Sequence, residues 1–204
     1  MRQLIDFFCA PYAHATAFQI TLEIVAVFFG IVSVLYARKE NIRVFPTGIV
    51  STVLYVYICY EFTLYGDMVI NLYYTLMSFY GWYVWNHKLL GQSIEITTSN
   101  SLDMLKALGI FISTAAFVVG VYLYYDRFDR VTDYFDTFTS GIFFAGMWLM
   151  AHKKIEHWMF WILGNLISIP LYFVKGLGFS GLQFTIFLIL AVQGYIEWKK
   201  HLNK

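Results

Sequence analysis

Two tryptophans and an asparagine late in the chain have a spacing that suits the binding of a small molecule. Trp158, Trp161 and Asn165 are three and then four residues apart, so they share one helical face over about two turns. Such a face offers flat aromatic surfaces beside an amide, and an indole face attracts a cationic ring by about 0.5 to 2 kcal/mol per contact. Trp158 lies close to a membrane boundary, so anchoring at the interface explains it equally well.

A second polar face occurs earlier in the chain. Asn71, Tyr74 and Ser78 follow one another at helical spacing, and Trp82 continues the same side. A polar stripe on an apolar helix is normally turned towards a partner helix or a cavity. Asn71 is therefore predicted to contact either a ligand or a neighbouring helix. Trp82 and Trp85 are predicted to anchor their helix at the membrane interface.

Four further polar side chains are candidates for the same binding site. Gln183 and Gln193 lie about 80° apart around one helix, so one can face a ligand while the other pairs between helices. Glu23 is the only charge deep in its apolar segment, where a carboxylate could attract a cation, cap a neighbouring helix or bind a proton. Asp136 lies at the mouth of another apolar segment.

The sequence predicts no catalytic residue, no metal site and no cofactor. His152 and His157 are five residues apart, about 140° around a helix, which is a poor geometry for one metal ion. We interpret both as loop residues beside Lys153 and Lys154. A glycine-rich phosphate loop, a nucleophile motif and paired carboxylates are all missing from the sequence, which argues against an enzyme.

Membrane-spanning helices must position these residues. The 204-residue chain is 59% hydrophobic and only 13% charged, too little polar material to cover a soluble domain. A net charge of +1 gives no field that would attract nucleic acid. Seven apolar runs approach the roughly 20 residues that cross a bilayer, and each must be helical to satisfy its own backbone hydrogen bonds. The runs are residues 15–37, 44–60, 68–85, 107–125, 137–151, 158–174 and 176–196.

The basic residues predict how these helices are oriented. Ten Lys and Arg residues fall on one side of the seven spans and four on the other. The side with ten is predicted to be cytoplasmic, which places the N-terminus outside and the C-terminus in the cytoplasm. Residues 1–14 lack the long apolar centre of a signal peptide, and we expect them to form a short interfacial segment.

An internal repeat relates the first three spans to the last three. Gly81 and Trp85 match residues 113 positions later, and two glycines and a glutamate before them match at 116. The matched pairs are Gly30 with Gly146, Glu40 with Glu156, Gly48 with Gly164, Gly81 with Gly194 and Trp85 with Trp198.

The repeat predicts an all-α membrane protein with a 3+1+3 arrangement. Residues 15–86 form the first three-helix repeat, residues 104–126 a linker helix and residues 134–198 the second repeat. Because the linker helix reverses the direction of the chain, the two repeats are parallel. Parallel repeats are an architecture of secondary transporters, with the substrate held between the halves near mid-membrane. A duplicated bundle without a transport role is the alternative.

Three motifs carry a resemblance to a known family. They are Tyr80-Gly81-Trp82-Tyr83-Val84-Trp85 at the end of the third span, Phe135-Asp136 at the start of the fifth, and Trp158-Met159-Phe160-Trp161 with Asn165, Ile167 and Ser168 in the sixth. On these residues the chain resembles the PnuC family of bacterial nicotinamide riboside transporters, over nearly its whole length. Asn71, Ser51 and Gln193 depart from residues found in some members, although each keeps hydrogen-bonding capacity.

The resemblance implies facilitated uptake of nicotinamide riboside on a fold similar to the SWEET sugar transporters. It implies a multi-pass protein of the bacterial inner membrane, retention of the substrate by cytoplasmic phosphorylation, and a homo-oligomer, with a trimer expected. The alternatives are a transporter of another vitamin or a small sugar on the same fold, and a membrane enzyme or receptor. An enzyme would need clustered acid–base residues, and the stretch 126–136 is the only candidate for such a cluster.

Overall fold

Seven long helices make up most of the described part of the chain. The computed structural model describes residues 16–61, 65–87, 94–124, 130–174 and 178–202, so the predicted interfacial segment 1–14 lies outside the described residues. The helices are α1 (Ala17–Arg38), α2 (Val44–Glu61), α3 (Tyr65–Asn86), α4 (Ser101–Tyr124), α5 (Val131–Ala151), α6 (His157–Val174) and α7 (Gly178–Leu202).

The helices have the length and composition of membrane spans. They contain 18 to 25 residues, about 27 to 38 Å at the α-helical rise. Five of them, α1, α2, α4, α6 and α7, are also apolar enough to cross a bilayer. In the described residues the only β-structure is an isolated bridge between Thr97 and Lys154. The prediction of an all-α membrane protein with seven helices is confirmed.

Helix α5 begins earlier than the apolar run predicted. The prediction started at residue 137, whereas the helix starts at Val131. The carboxylate of Asp133 accepts a hydrogen bond from the backbone N–H of Arg130 at 2.9 Å, which stabilises the first turn. A search for apolar runs alone does not detect the start of a helix whose first turn is polar.

The helices pack as two three-helix bundles with α4 attached to the second. In the first bundle α1 contacts α2 and α2 contacts α3; in the second bundle α5 contacts α6 and α6 contacts α7. Helix α4 packs against α5. The bundles meet along two seams, one between α1 and α7 and the other between α3 and α5. The 3+1+3 arrangement, with the two bundles parallel, stays a prediction.

The turns after α1 and α5 have the same backbone geometry. Glu40 and Lys153 are the two non-glycine residues with positive φ among the described residues, at 53° and 51°. Each is the second residue after its helix, and α2 and α6 begin at Val44 and His157. Both the turn residues and the helix starts are 113 positions apart. A single offset of 113 therefore relates the bundles.

This offset corrects two of the predicted glycine matches. A Cβ on Gly30 would lie 3.1 Å from Ser51 Oγ, and a Cβ on Gly164 would lie 2.5 Å from Phe143. At an offset of 113, Gly30 corresponds to Phe143 and Ser51 to Gly164, so the two contacts are equivalent. The glycine lies on the first helix of the first bundle but on the second helix of the second bundle. The contacts of Gly48 with Ser33 and of Gly146 with Trp161 are related in the same way. Matching glycine to glycine at 116 was wrong because the small and large partners exchange helices between bundles.

The largest buried cluster lies where α1, α3, α5 and α7 end. Both bundles contribute aromatic side chains to it: Phe45 and Trp85 from the first, Trp158 and Trp198 from the second. The edge of Trp85 packs on Phe45, with ring centroids 4.9 Å apart. We call this set the aromatic cluster. It closes the space between the bundles at the end predicted to be cytoplasmic.

Candidate functional site

Trp158 is buried inside the second bundle. Its side chain is 0% exposed, and it packs edge-to-face on Trp161 and Trp198, with ring centroids 5.4 and 5.8 Å away. A glycine is needed at position 194 of α7, because a Cβ there would lie 2.5 Å from the Trp158 ring. Anchoring at the membrane interface is therefore the wrong explanation for Trp158. The Trp158 ring packs against Trp161 and so helps to fix its position.

Trp161 lies one turn further along α6 and is half-buried. It is seated on Gly146 of α5, where an added Cβ would come 2.8 Å from the indole. It also packs against the aromatic cluster that joins the bundles. Trp161 thus presents aromatic surface in the second turn of α6, and its position is fixed by the contacts with α5 and with the aromatic cluster.

Asn165 supplies a buried amide one turn beyond Trp161. Its side chain is 4% exposed, and its amide is not among the fully buried polar atoms of the described residues that lack a hydrogen-bond partner. An amide both donates and accepts, so a ligand or water that reaches it can pair with it. The equivalent residue of the first bundle is Thr52, which accepts a hydrogen bond from Thr75 at 2.7 Å. Position 188, the equivalent of Thr75, is a leucine, so α7 offers Asn165 no polar partner there.

Ser168 extends the same face and was missed as a site residue. It is 1% exposed. With Trp158, Trp161 and Asn165 it completes a spacing of three, four and three residues, which keeps all four side chains on one side of α6. We call these four residues the α6 face. The spacing was visible in the sequence, where Ser168 entered only through the family resemblance.

The polar face of α3 is brought only partly to this site. Tyr74 packs on Phe144 at the seam between α3 and α5 and contacts the same aromatic cluster as Trp161. Ser78 is buried near Gly48 of α2, inside the first bundle. The backbone carbonyl of Asn71 accepts a hydrogen bond from the Thr75 hydroxyl at 2.9 Å. Tyr74 is thus the member of this face that lies closest to the α6 face in the packing.

The two tryptophans at the end of α3 have different environments. Trp82 is 39% exposed, as an interfacial anchor would be. Trp85 is buried in the aromatic cluster, so the prediction that it anchors the helix at the interface is wrong. Its burial follows from the contact with Phe45 across α2 and α3, which periodicity within one helix does not reveal.

The two glutamines of α7 lie at different depths and contact different helices. Gln183 accepts a hydrogen bond from the Tyr55 hydroxyl of α2 at 3.5 Å. Gln193 accepts one from the Arg38 guanidinium, at the end of the seam between α1 and α7 that is predicted to be cytoplasmic. Ten residues along α7 correspond to about 15 Å, so both glutamines cannot contact one small ligand at the same end.

The two candidate carboxylates lie on helices outside the α6 face. Glu23 is half-buried on α1. Asp136 accepts a hydrogen bond from the Tyr122 hydroxyl at 3.3 Å and so joins α5 to α4. For Asp136 this contact gives a structural role beside the predicted contact with the substrate.

His157 was wrongly interpreted as a loop residue. It is the first residue of α6 and is fully buried among Trp158, Trp161 and Trp198. Its Nδ1 donates to the Lys154 carbonyl at 2.7 Å. His152 does lie in the turn, where its Nε2 is 3.1 Å from the Tyr80 hydroxyl. In the described part of the chain no three His, Cys, Asp or Glu side chains are grouped as metal ligands.

A cavity of about 510 Å³ lies elsewhere, beside the start of α6 and the end of α7. None of the predicted site residues lines it. Its lining residues are Thr98, Ile155, Glu156, Met159, Tyr195, Lys199 and Leu202. Because it lies beside the end of the second bundle, and not between the bundles, it is not a path for a substrate between the two halves.

Comparison with known proteins identifies the family to which this chain belongs. The family model described as nicotinamide mononucleotide transporter matches residues 20–200. The chain belongs to the nicotinamide mononucleotide transporter family. The matched range includes the α6 face and all seven helices, apart from residues 17–19 of α1 and residues 201–202 of α7. Its members are membrane transporters, so the prediction of a transporter, as opposed to an enzyme, is confirmed, as is the resemblance to PnuC.

Relatives within this transporter family cover most of the chain. The nicotinamide riboside transporter PnuC of Neisseria mucosa is 30% identical, over 88% of this chain and 72% of the relative. The riboflavin/roseoflavin transporter RibM of Streptomyces davaonensis is 27% identical, over 60% of this chain and 58% of the relative. A solved structure described as the crystal structure of the vitamin B3 transporter PnuC is similar with a TM-score of 0.68 and 25% identity, covering 89% of this chain and 82% of that one.

Proposed function

We propose that this protein transports nicotinamide riboside by facilitated diffusion, with the substrate bound at the α6 face between the two bundles. The observation that carries the proposal is the side chain of Asn165, which is 4% exposed and lies one turn from Trp161 on the same side of α6. Membership of the transporter family and the likeness to PnuC of Neisseria mucosa support this substrate.

The chemistry of nicotinamide riboside suits the residues of the α6 face. The cationic pyridinium ring would stack on the half-buried indole of Trp161 and gain about 0.5 to 2 kcal/mol. The Asn165 amide both donates and accepts, so it can pair with the carboxamide or with a ribose hydroxyl. Ser168 adds a hydroxyl on the same side. Trp158 fixes the position of Trp161 without touching the substrate in this conformation.

Residues of the first bundle and of α7 would complete the site from the other side. Tyr74 is the strongest of them, because it already packs against the cluster that includes Trp161. Ser78, Asn71, Gln183 and Gln193 are proposed as contacts that form when the bundles move. Glu23 and Asp136 are proposed to favour the approach of a cation from the outer side.

The transport cycle needs no coupled ion in this proposal. Parallel repeats that enclose a site can expose it to either side by rocking against each other. Net uptake would then follow from phosphorylation of the product in the cytoplasm. The proposed repeats are residues 15–86 and 134–198, with 104–126 as the linker helix, in a bacterial inner membrane with the N-terminus outside.

A homo-oligomer, with a trimer expected, is proposed on the surface of α4. Small residues form an exposed stripe along this helix, and a Cβ added at Gly109 or Gly120 would meet no other atom. The stripe is Gly109, Ser113, Ala116 and Gly120. Small residues at such spacing allow close approach of membrane helices. The mass of the detergent-purified protein tests this, and a monomer would contradict it.

The alternative is another vitamin on the same fold, and the likeness to RibM favours it over a sugar. Riboflavin has a neutral and larger ring system, whereas nicotinamide riboside has a small cationic ring. Both can stack on Trp161. Only the cation gains from the electrostatic attraction of the indole face.

Calorimetric titration of the detergent-purified protein separates these substrates. We expect nicotinamide riboside to bind at least tenfold more tightly than riboflavin, thiamine or ribose, and Trp161→Ala to abolish most of that preference. Trp82→Ala is the matched control, because it removes an exposed tryptophan of α3. Tighter binding of riboflavin than of nicotinamide riboside would overturn the assignment of the substrate.

A further inference from the structure

An ion pair joins the two bundles at the cytoplasmic end. Lys153 Nζ lies 2.5 Å from Glu40 Oε1. Glu40 follows α1 in the first bundle, and Lys153 follows α5 in the second. Lys153 is only 7% exposed, so its charge depends on this partner and on the Trp85 ring, whose centroid is 4.7 Å from Nζ. We call Glu40 and Lys153 the axial pair.

The two members of the axial pair are equivalent residues of the two bundles. They are 113 positions apart and share positive φ. Trp85 and Trp198 are equivalent at the same offset, and their rings also face each other, with centroids 6.3 Å apart. In an assembly of two related units, a residue meets its own equivalent only next to the two-fold axis. The axial pair therefore lies where a local two-fold axis between the bundles leaves the membrane.

Both seams beside the axial pair also carry contacts between the bundles, although the residue pairs differ: Trp85 Nε1, at the position equivalent to Trp198, has no hydrogen-bond partner among the described residues. On one seam Trp198 Nε1 donates to the Ala37 carbonyl at 3.0 Å, and Arg38 lies 3.1 Å from the Glu197 carboxylate. On the other seam His152 contacts the Tyr80 hydroxyl. Each contact joins the end of the first helix of one bundle to the last helix of the other. Rocking of the bundles about the site must break them together at this end.

The connector between α3 and α4 holds one member of the axial pair in place. The backbone N–H of Thr97 donates to the Lys153 carbonyl at 3.1 Å, and the Thr97 carbonyl accepts from Ile155 at 3.0 Å. The Ser99 hydroxyl donates to Glu156 at 2.6 Å. In the described residues no connector is bonded in this way to the turn that carries Glu40. Lys153 is thus fixed to the second bundle, and Glu40 moves with the first.

We propose that the axial pair forms the cytoplasmic gate. It holds the bundles together at this end, and it must separate before the site opens to the cytoplasm. This inference rests on the proposed transport function. Loss of Glu40 leaves the charge of Lys153 buried and unpaired in the closed state. In the open state water solvates that charge. Neutralising either residue therefore shifts the population towards the open state.

Reactivity of a buried thiol measures this opening directly. Ala191 is buried in the aromatic cluster, so an Ala191→Cys variant in a Cys9→Ser, Cys59→Ser background reacts with a maleimide only when the cytoplasmic end opens. Glu40→Gln and Lys153→Gln should each raise the labelling rate about tenfold in the detergent-purified protein. Lys39→Gln, which removes an exposed charge from the same turn, should leave the rate unchanged.

Exchange of the two charges provides the decisive variant. The double substitution Glu40→Lys with Lys153→Glu should return the labelling rate to that of the parent, because the equivalent geometry would place the new lysine over Trp198. Parent-like labelling in both single variants would overturn the proposal, and so would failure of the exchanged pair to restore slow labelling. Native thermal stability of each variant shows that it is folded. Since labelling needs no substrate, its outcome is independent of whether nicotinamide riboside is the molecule carried.

Discussion

Asn165→Ala should weaken substrate binding while leaving the stability of the protein almost unchanged. Its side chain is 4% exposed, and α7 carries Leu188 at the position equivalent to Thr75, so no polar side chain pairs with the amide there. Its removal therefore costs the empty protein little. In the bound state the substitution leaves a carboxamide or hydroxyl of the substrate unpaired, which costs about 1 to 3 kcal/mol, or roughly five- to 150-fold in affinity.

Thr52→Ala is the matched control for this prediction. Thr52 is the equivalent of Asn165 in the first bundle, and its hydroxyl accepts a hydrogen bond from Thr75 at 2.7 Å. Its loss should lower the free energy of unfolding by about 1 kcal/mol and leave the affinity near that of the parent. Calorimetry and thermal unfolding on the same detergent preparations give both quantities.

The reverse pattern would refute the reasoning. If Asn165→Ala binds nicotinamide riboside with native affinity, the amide does not contact the substrate. If it lowers stability more than Thr52→Ala does, the amide has a structural role and is not reserved for the substrate.

Two further predictions concern packing and topology. Gly194→Ala should destabilise the protein by about 1 to 3 kcal/mol, because the new Cβ would lie 2.5 Å from the Trp158 ring, whereas Gly109→Ala meets no atom and should not; equal melting temperatures would contradict this. A reporter enzyme fused after Lys204 should be active only in the cytoplasm, since ten of the fourteen basic residues fall on that side. Periplasmic activity would overturn the predicted orientation.

The sequence predicted the positions of the helices well and the contacts between helices poorly. Apolar runs and the spacing of Trp158, Trp161 and Asn165 depend on residues within one helix, so they could be found without a structure. The burial of Trp85 and His157 depends on Phe45 and Trp198, which approach only when helices pack. The same is true of the exchange of small and large residues between bundles, which misled the matching of glycines. Asn165 could be proposed from spacing, but its burial became visible only in the packed structure.

Flux of labelled nicotinamide riboside into proteoliposomes tests the central claim most directly. With no proton or sodium gradient, the internal concentration should rise to that outside and stop there, and Trp161→Ala should slow the approach at low substrate concentration. Accumulation above the outside concentration that collapses on addition of an ionophore would contradict facilitated diffusion, and absence of any flux above protein-free liposomes would contradict the proposed substrate.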